Sequence, residues 1–188
     1  MKICCALALA FVCACGGGGG ASTVDNGTIR GRAFTPADSA ATVITFAASD
    51  VELNVIITDT PGFCDELTQN KTPKNVAALV ISAADFDAST GALSPPTAPG
   101  THNIVSNINP TANAKVATLS YLHDDATCQA IAGEAATAVS GSITFTSIAN
   151  GVYTGSYDVI LSTHDRAKGS FTSQTCAALS GSALPACT

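Results

Sequence analysis

Tryptophan is absent from this 188-residue chain, and tyrosine occurs only three times. Flat aromatic platforms for stacking sugars or nucleobases are therefore scarce, which weighs against carbohydrate binding. Charge is scarce as well: Asp, Glu, Lys and Arg make up 12% of residues, 8 of them basic and 14 acidic. An acidic surface poor in lysine repels nucleic acid and anionic headgroups, so nucleic acid is not an expected partner. Helical surfaces carry more Glu and Lys than this, and the abundance of Ala, Ser, Thr and Gly points to strands with small, weakly polar outer faces. The apolar run at residues 3–12 is too short for a bilayer core, which needs about 20 residues. No nucleotide, haem or flavin signature occurs, nor does the Gly-x-Ser-x-Gly nucleophile elbow. No cofactor is expected.

What the N-terminus does contain is one cation, Lys2, a short apolar core, and the stretch FVCACGGGGG at residues 11–20. A phosphate-binding loop would end in Lys followed by Ser or Thr, and residues 16–20 run instead into Ala21 and Ser22. Cys13 and Cys15 are too close in the chain for a zinc clip, and no second ligand pair stands nearby. A positive start, a short apolar core and small residues at a cut form an export signal. Val12-Cys13-Ala14-Cys15 resembles the lipobox of bacterial lipoproteins. The resemblance implies cleavage before Cys15, a diacylglycerol on its sulfur, and a mature chain tethered to the bilayer. Cys13 stands where Ala, Ser or Gly is more usual, and Gly16 in place of Asp fits sorting to the outer membrane of the cell envelope. The glycines that follow make a flexible spacer. The chain thus divides into a leader at 1–14, a lipidated Cys15 with spacer at 15–25, and a single domain at 26–188.

Losing Lys2 with the leader leaves 7 basic against 14 acidic residues, a net charge near −7. Cys4, Cys5 and Cys13 leave as well, Cys15 is acylated, and Cys64, Cys128, Cys176 and Cys187 remain. An even set in an oxidising compartment pairs, with three connectivities open. Cys64–Cys128 with Cys176–Cys187 is favoured, because the second bond pins a tail that has no periodic pattern. A four-thiolate metal site would need closely paired spacing, which is missing.

From residue 26 the pattern is that of strands. Residues 28–34 open the domain and end at the turn Thr35-Pro36-Ala37-Asp38. Residues 43–48 and 51–57 flank Ser49-Asp50, and a two-residue connection there sets Phe46 opposite Leu53 and Ile44 opposite Val55. Residues 64–70 read as one helical turn or a loop, and 76–82 as a buried strand. Residues 89–100, with three prolines and two glycines, read as a long loop and the first place to look for mobility. Strands return at 102–106 and 115–122, while 128–138 is ambiguous between a short helix and coil.

Gly-Ser recurs at 141, 155 and 169, a constant spacing of fourteen that suggests a meander arm. Asn150-Gly151 is a strong turn signal and sets Phe145 across from Gly155 and Ile143 across from Tyr157. Ile143, Phe145, Tyr153, Tyr157, Val159 and Leu161 then share a core face, and Thr144, Thr146, Thr154, Ser156 and Asp158 a wet one. About nine short strands indicate an all-β domain, a single antiparallel β-sandwich or flattened barrel, with a short helical segment allowed. GSYDVILSTHDRAKGSFTSQTC, residues 155–176, resembles the closing hairpin of uncharacterised bacterial surface lipoproteins, a likeness that extends to residues 27–38 and implies no activity.

His123-Asp124-Asp125 and His164-Asp165 are the histidine–carboxylate clusters of the chain. Imidazole and carboxylate together can hold a divalent metal or run acid–base chemistry, but Asp where a strand stops is explained by turn hydrogen bonds alone. His102 has no acidic neighbour in sequence and reads as a strand-edge residue. The favoured reading is a lipid-tethered, non-enzymatic domain that binds an envelope or extracellular protein or builds envelope structure. A metal-assisted hydrolase using His123, Asp125, His164 and Asp165, and a lipocalin-like carrier of an apolar ligand, are the alternatives.

Overall fold

A computed structural model describes residues 23–24, 28–47, 50–105, 110, 112–180 and 187. Leader, Cys15 and the glycine run lie outside them. The chain order is β1 (Thr23–Val24), β2 (Thr28–Ile29), β3 (Arg32–Ala33), β4 (Asp38–Ala47), β5 (Asp50–Thr58), α1 (Phe63–Thr68), β6 (Ala77–Asp87), β7 (Ala92–Ser94), β8 (Gly100–Ile104), β9 (Ala114–His123), β10 (Ala136–Ala149), β11 (Val152–Leu161) and β12 (Arg166–Thr175). A 3-10 turn, Ala177–Leu179, follows. The domain is all-β with one short helix, as its composition implies.

Antiparallel pairing runs β4-β5-β6-β9 and β10-β11-β12, with β8 and the first residues of β10 joining β9 to the second group. The sheet then closes: β12 pairs in parallel with β4, Gln174 beside Ala40 and Thr175 beside Ala41. The expected antiparallel order therefore gains three parallel contacts, β12–β4, β8–β9 and β5–β7. β1 lies antiparallel on β12, Thr23 beside Ser170, which puts sheet structure inside the stretch the sequence assigns to the spacer.

The β10–β11 hairpin has the expected pairs, Phe145 beside Gly155 and Ile143 beside Tyr157, where a two-residue turn alone would set Phe145 beside Ser156. Asn150 and Gly151 both take positive φ, 53° and 73°, as the tight hairpin turn demands. A shift in register between Phe145 and Ser147 brings those pairs into line. Gly155 also faces Phe171 on β12, and the Phe145 and Phe171 rings meet edge to face at 5.7 Å. A Cβ at Gly155 would lie 2.7 Å from Phe171 Cζ, so the glycine makes room for the ring. Ile143, Phe145, Tyr157, Val159 and Leu161 are buried in the main core, and Tyr153 packs at its margin. The three Gly-Ser pairs sit on adjacent strands, as a meander arm requires.

The β4–β5 hairpin departs from its expected register. Val43, not Phe46, pairs with Leu53, and Ala41, not Ile44, pairs with Val55. Asp50 pairs with Ala47, and a bulge between Thr45 and Ala47 absorbs one more residue. Phe46 is consequently 66% exposed and Val43 42%. Two other stretches differ from expectation, and two that the sequence leaves open are settled. Residues 28–34 form the β2–β3 hairpin, turning at Arg30-Gly31 with both φ positive, and Ile29 and Phe34 pack into the core. Residues 89–100 contain β7, and residues 128–138 form turns that lead into β10. Residues 64–70 are largely helical, within α1.

The disulfides are Cys64–Cys176 and Cys128–Cys187, which corrects the expected Cys64–Cys128 and Cys176–Cys187. Closure of the barrel decides this. Once the end of β12 lies beside Ala40 and Ala41, Cys176 joins Ala40, Phe63, Leu67 and Leu179 in a second small core under α1, next to Cys64. Cys187 bridges Thr72, beside Cys128. The loops closed span 112 and 59 residues, worth about 5 and about 4 kcal/mol as entropic upper estimates.

Candidate functional site

Three regions bring chemistry-bearing side chains together. In the first, Asp85 on β6 faces Lys115 on β9, and both Asp85 oxygens accept from Lys115 Nζ at 3.1 Å. His102 on β8 reaches the same carboxylate, Nε2 to Oδ1 at 2.9 Å. Its ring is buried and meets Phe145 edge to face at 5.3 Å. Burial pushes the His102 pKa down, against the opposing pull of the Asp85 hydrogen bond. His102 is thus a core residue with an acidic partner from another strand, not the unpartnered edge residue its neighbours in sequence suggest.

In the second region, His123 does not use the Asp124-Asp125 pair that follows it. Its Nδ1 bonds Glu134 Oε2 at 2.5 Å. Asp125 folds back on its own loop, accepting from the Thr127 hydroxyl at 2.6 Å and from the Thr127 and Gln129 N–H groups at 2.7 and 3.1 Å. Those bonds, the Thr127 hydroxyl foremost, hold its carboxyl below the ordinary range. Asp165 is engaged likewise: Oδ2 accepts from the Arg30 N–H at 2.9 Å and the Thr163 hydroxyl at 2.7 Å, and the Arg30 bond leads in lowering its pKa. His164 is exposed in that turn at φ 68°. Four residues named together for a metal site are therefore divided between two loops with separate partners. Among the described residues, no group of three or more His, Cys, Asp or Glu could hold a metal.

Between the β2–β3 hairpin and β9 lies a cleft of about 230 Å³, lined among others by Arg30, Arg32, Tyr121 and Glu134. The Tyr121 ring is held by Phe34, edge to face at 5.9 Å. Its hydroxyl is buried and, among the described residues, has no hydrogen-bond partner. Burial raises the phenol pKa, the Arg32 charge opposes this, and Glu134 and Asp59 add to the rise. At neutral pH it is a donor. Sequence reading passes over this cleft, although Arg-Gly-Arg in a chain with 8 basic residues was the visible trace.

Apart from these three regions lies the outer edge of β4. Parallel pairing with β12 covers Ala40 and Ala41, and among the described residues no strand pairs with that side of residues 42–47. No protein-family model, curated protein or solved structure matches the chain.

Proposed function

We propose that this chain is a lipid-tethered, non-enzymatic envelope protein, anchored through Cys15, whose barrel docks a partner protein by strand addition on the open edge of β4. The observation that carries this is the composition of that edge. From Thr42 to Ala47 there is no charge and no proline, Val43 and Phe46 are exposed, and among the described residues of that edge the bulge near Phe46 is the only device against unwanted pairing. Natural sheets guard their edges more heavily than this, and a bare edge flanked by apolar side chains suits an extended partner segment. The interior supports docking over a carrier, because Phe145, Tyr157, Val159 and Phe171 fill it at about 1% exposure each. Engagement of Asp125 by its own loop, and of Asp165 by Thr163 and by the Arg30 N–H of the β2–β3 turn, weighs against the hydrolase.

Fractionation and crosslinking test the two halves separately. Cys15→Ser should move the protein from the membrane to the soluble fraction. Sedimentation with membranes in unchanged yield would overturn the tether. A photo-crosslinker at Phe46 in the intact envelope should give one protein adduct that Val43→Lys abolishes while the barrel stays folded. An adduct insensitive to Val43→Lys, or none, would overturn the docking edge.

A further inference from the structure

The cleft under the β2–β3 hairpin is independent of that edge. We propose that it binds a small carboxylate, whose oxygens take the guanidinium of Arg32 and the hydroxyl of Tyr121. A buried hydroxyl without a partner is destabilising, and such groups call for an explanation when they persist. Tyr121 supplies one at 1% exposure, in the wall of a cleft that also holds two of the chain's few cations. Among the described residues no ion pair holds the Arg32 guanidinium, whereas Asp165 accepts from the backbone N–H of Arg30 and feels that residue's charge.

The planar guanidinium fork matches a carboxylate with two parallel bonds. Glu134, the acid in the same wall, has Oε2 occupied by His123, which tempers its repulsion of an incoming anion. Its other oxygen is suited to accept from a hydroxyl or amide on the ligand. The volume falls below the range of about 300–1,000 Å³ typical of drug-sized ligands, so the acid is small or is the terminus of a longer chain. The Tyr121 phenol, its pKa raised above the ordinary 10 by burial, is protonated at neutral pH, the form that donates to a carboxylate.

Titration of the intact chain with lactate, with an acetylated dipeptide and with that dipeptide's amide tests this, followed by tyrosine difference absorbance and backbone chemical shifts. Phosphate serves as the generic anion. Saturable binding of either carboxylate, with the amide inert, is expected. Lactate binding points to a free acid, and binding of the dipeptide alone points to a polypeptide C-terminus. Arg32→Ala should weaken the interaction about tenfold or more, the loss of a charge-assisted bidentate contact. Tyr121→Phe should raise the melting temperature of the unliganded protein while weakening carboxylate binding, a pair of effects that a purely structural tyrosine would not produce. No saturation by either acid, phosphate binding as tight as carboxylate, or affinities unchanged in both variants would overturn the assignment.

Discussion

The β10–β11 and β4–β5 hairpins carry similar apolar runs around a turn, yet only the first turns where its residues dictate, with Ala149 beside Val152 and Ser147 beside Thr154 before a bulge shifts the pairing by one. Asn150-Gly151 accepts positive φ at both positions, so the local code for a tight turn is strong and the strands follow it as far as Ser147 and Thr154. Ser49-Asp50 has no glycine and carries no comparable instruction. Its hairpin takes its register from distant contacts instead: Ala40 and Ala41 lie beside the end of β12, and Cys64–Cys176 fastens the adjoining α1 to that same seam. A one-residue slip exchanges the two faces of a strand. That is why the β4 tip turns Phe46 to solvent while the β10–β11 arm buries Phe145.

Four variants break or sharpen this contrast. The largest effect belongs to the seam: Cys64→Ser with Cys176→Ser should lower unfolding free energy by up to about 5 kcal/mol, read from denaturant midpoints. A loss below about 1 kcal/mol would mean that β4 keeps its register without the bond. Next is Gly155→Val, whose new Cβ would collide with the Thr144 carbonyl oxygen and lie 2.7 Å from Phe171 Cζ and should cost about 3 kcal/mol by overpacking; an unchanged calorimetric melting temperature would show that both the β10 backbone and the ring give way freely.

Gly151→Ala forces a side chain into a left-handed conformation and against Thr175 Oγ1 at 2.9 Å, for a loss of about 1–2 kcal/mol. If it is neutral, the β10–β11 register does not come from its turn. The smallest effect is at Glu52, opposite Ile44 on the β4–β5 arm. Burial first, then Asp50, raises its pKa above the ordinary 4.5. A carboxyl with a raised folded pKa binds more protons folded than unfolded, so its contribution to stability falls as pH rises through that range and is unfavourable at neutral pH. Glu52→Gln should therefore raise the melting temperature slightly at pH 7 and flatten its pH dependence above 4.5, and a lower melting temperature would contradict this.

How far the sites were legible follows the same division. Asp125 and Asp165 were readable as turn residues because their partners lie within four residues of Asp125, and Asp165 bonds Thr163 two residues away. The partners of His102 and His123 were not readable from adjacent residues. Asp85 reaches His102 from another strand, and Glu134 reaches His123 across a loop. Tyr121 and Arg32 meet at one cleft because the β2–β3 hairpin folds onto the barrel, an arrangement that alternation within either segment does not specify.

By itself the amino-acid order determined the all-β class, the tight β10–β11 turn, the meander of Gly-Ser strands and the turn role of Asp125. Each depends on backbone propensity, side-chain alternation or a hydrogen bond between near neighbours, and such terms are written locally. Only the tertiary structure decided the closure of β12 on β4, the disulfide partners, the exposed tip of β4 and the Tyr121–Arg32 cleft. Those arise when strands far apart in sequence come to share one edge, and the free energy of that meeting belongs to the pair of surfaces rather than to either segment alone.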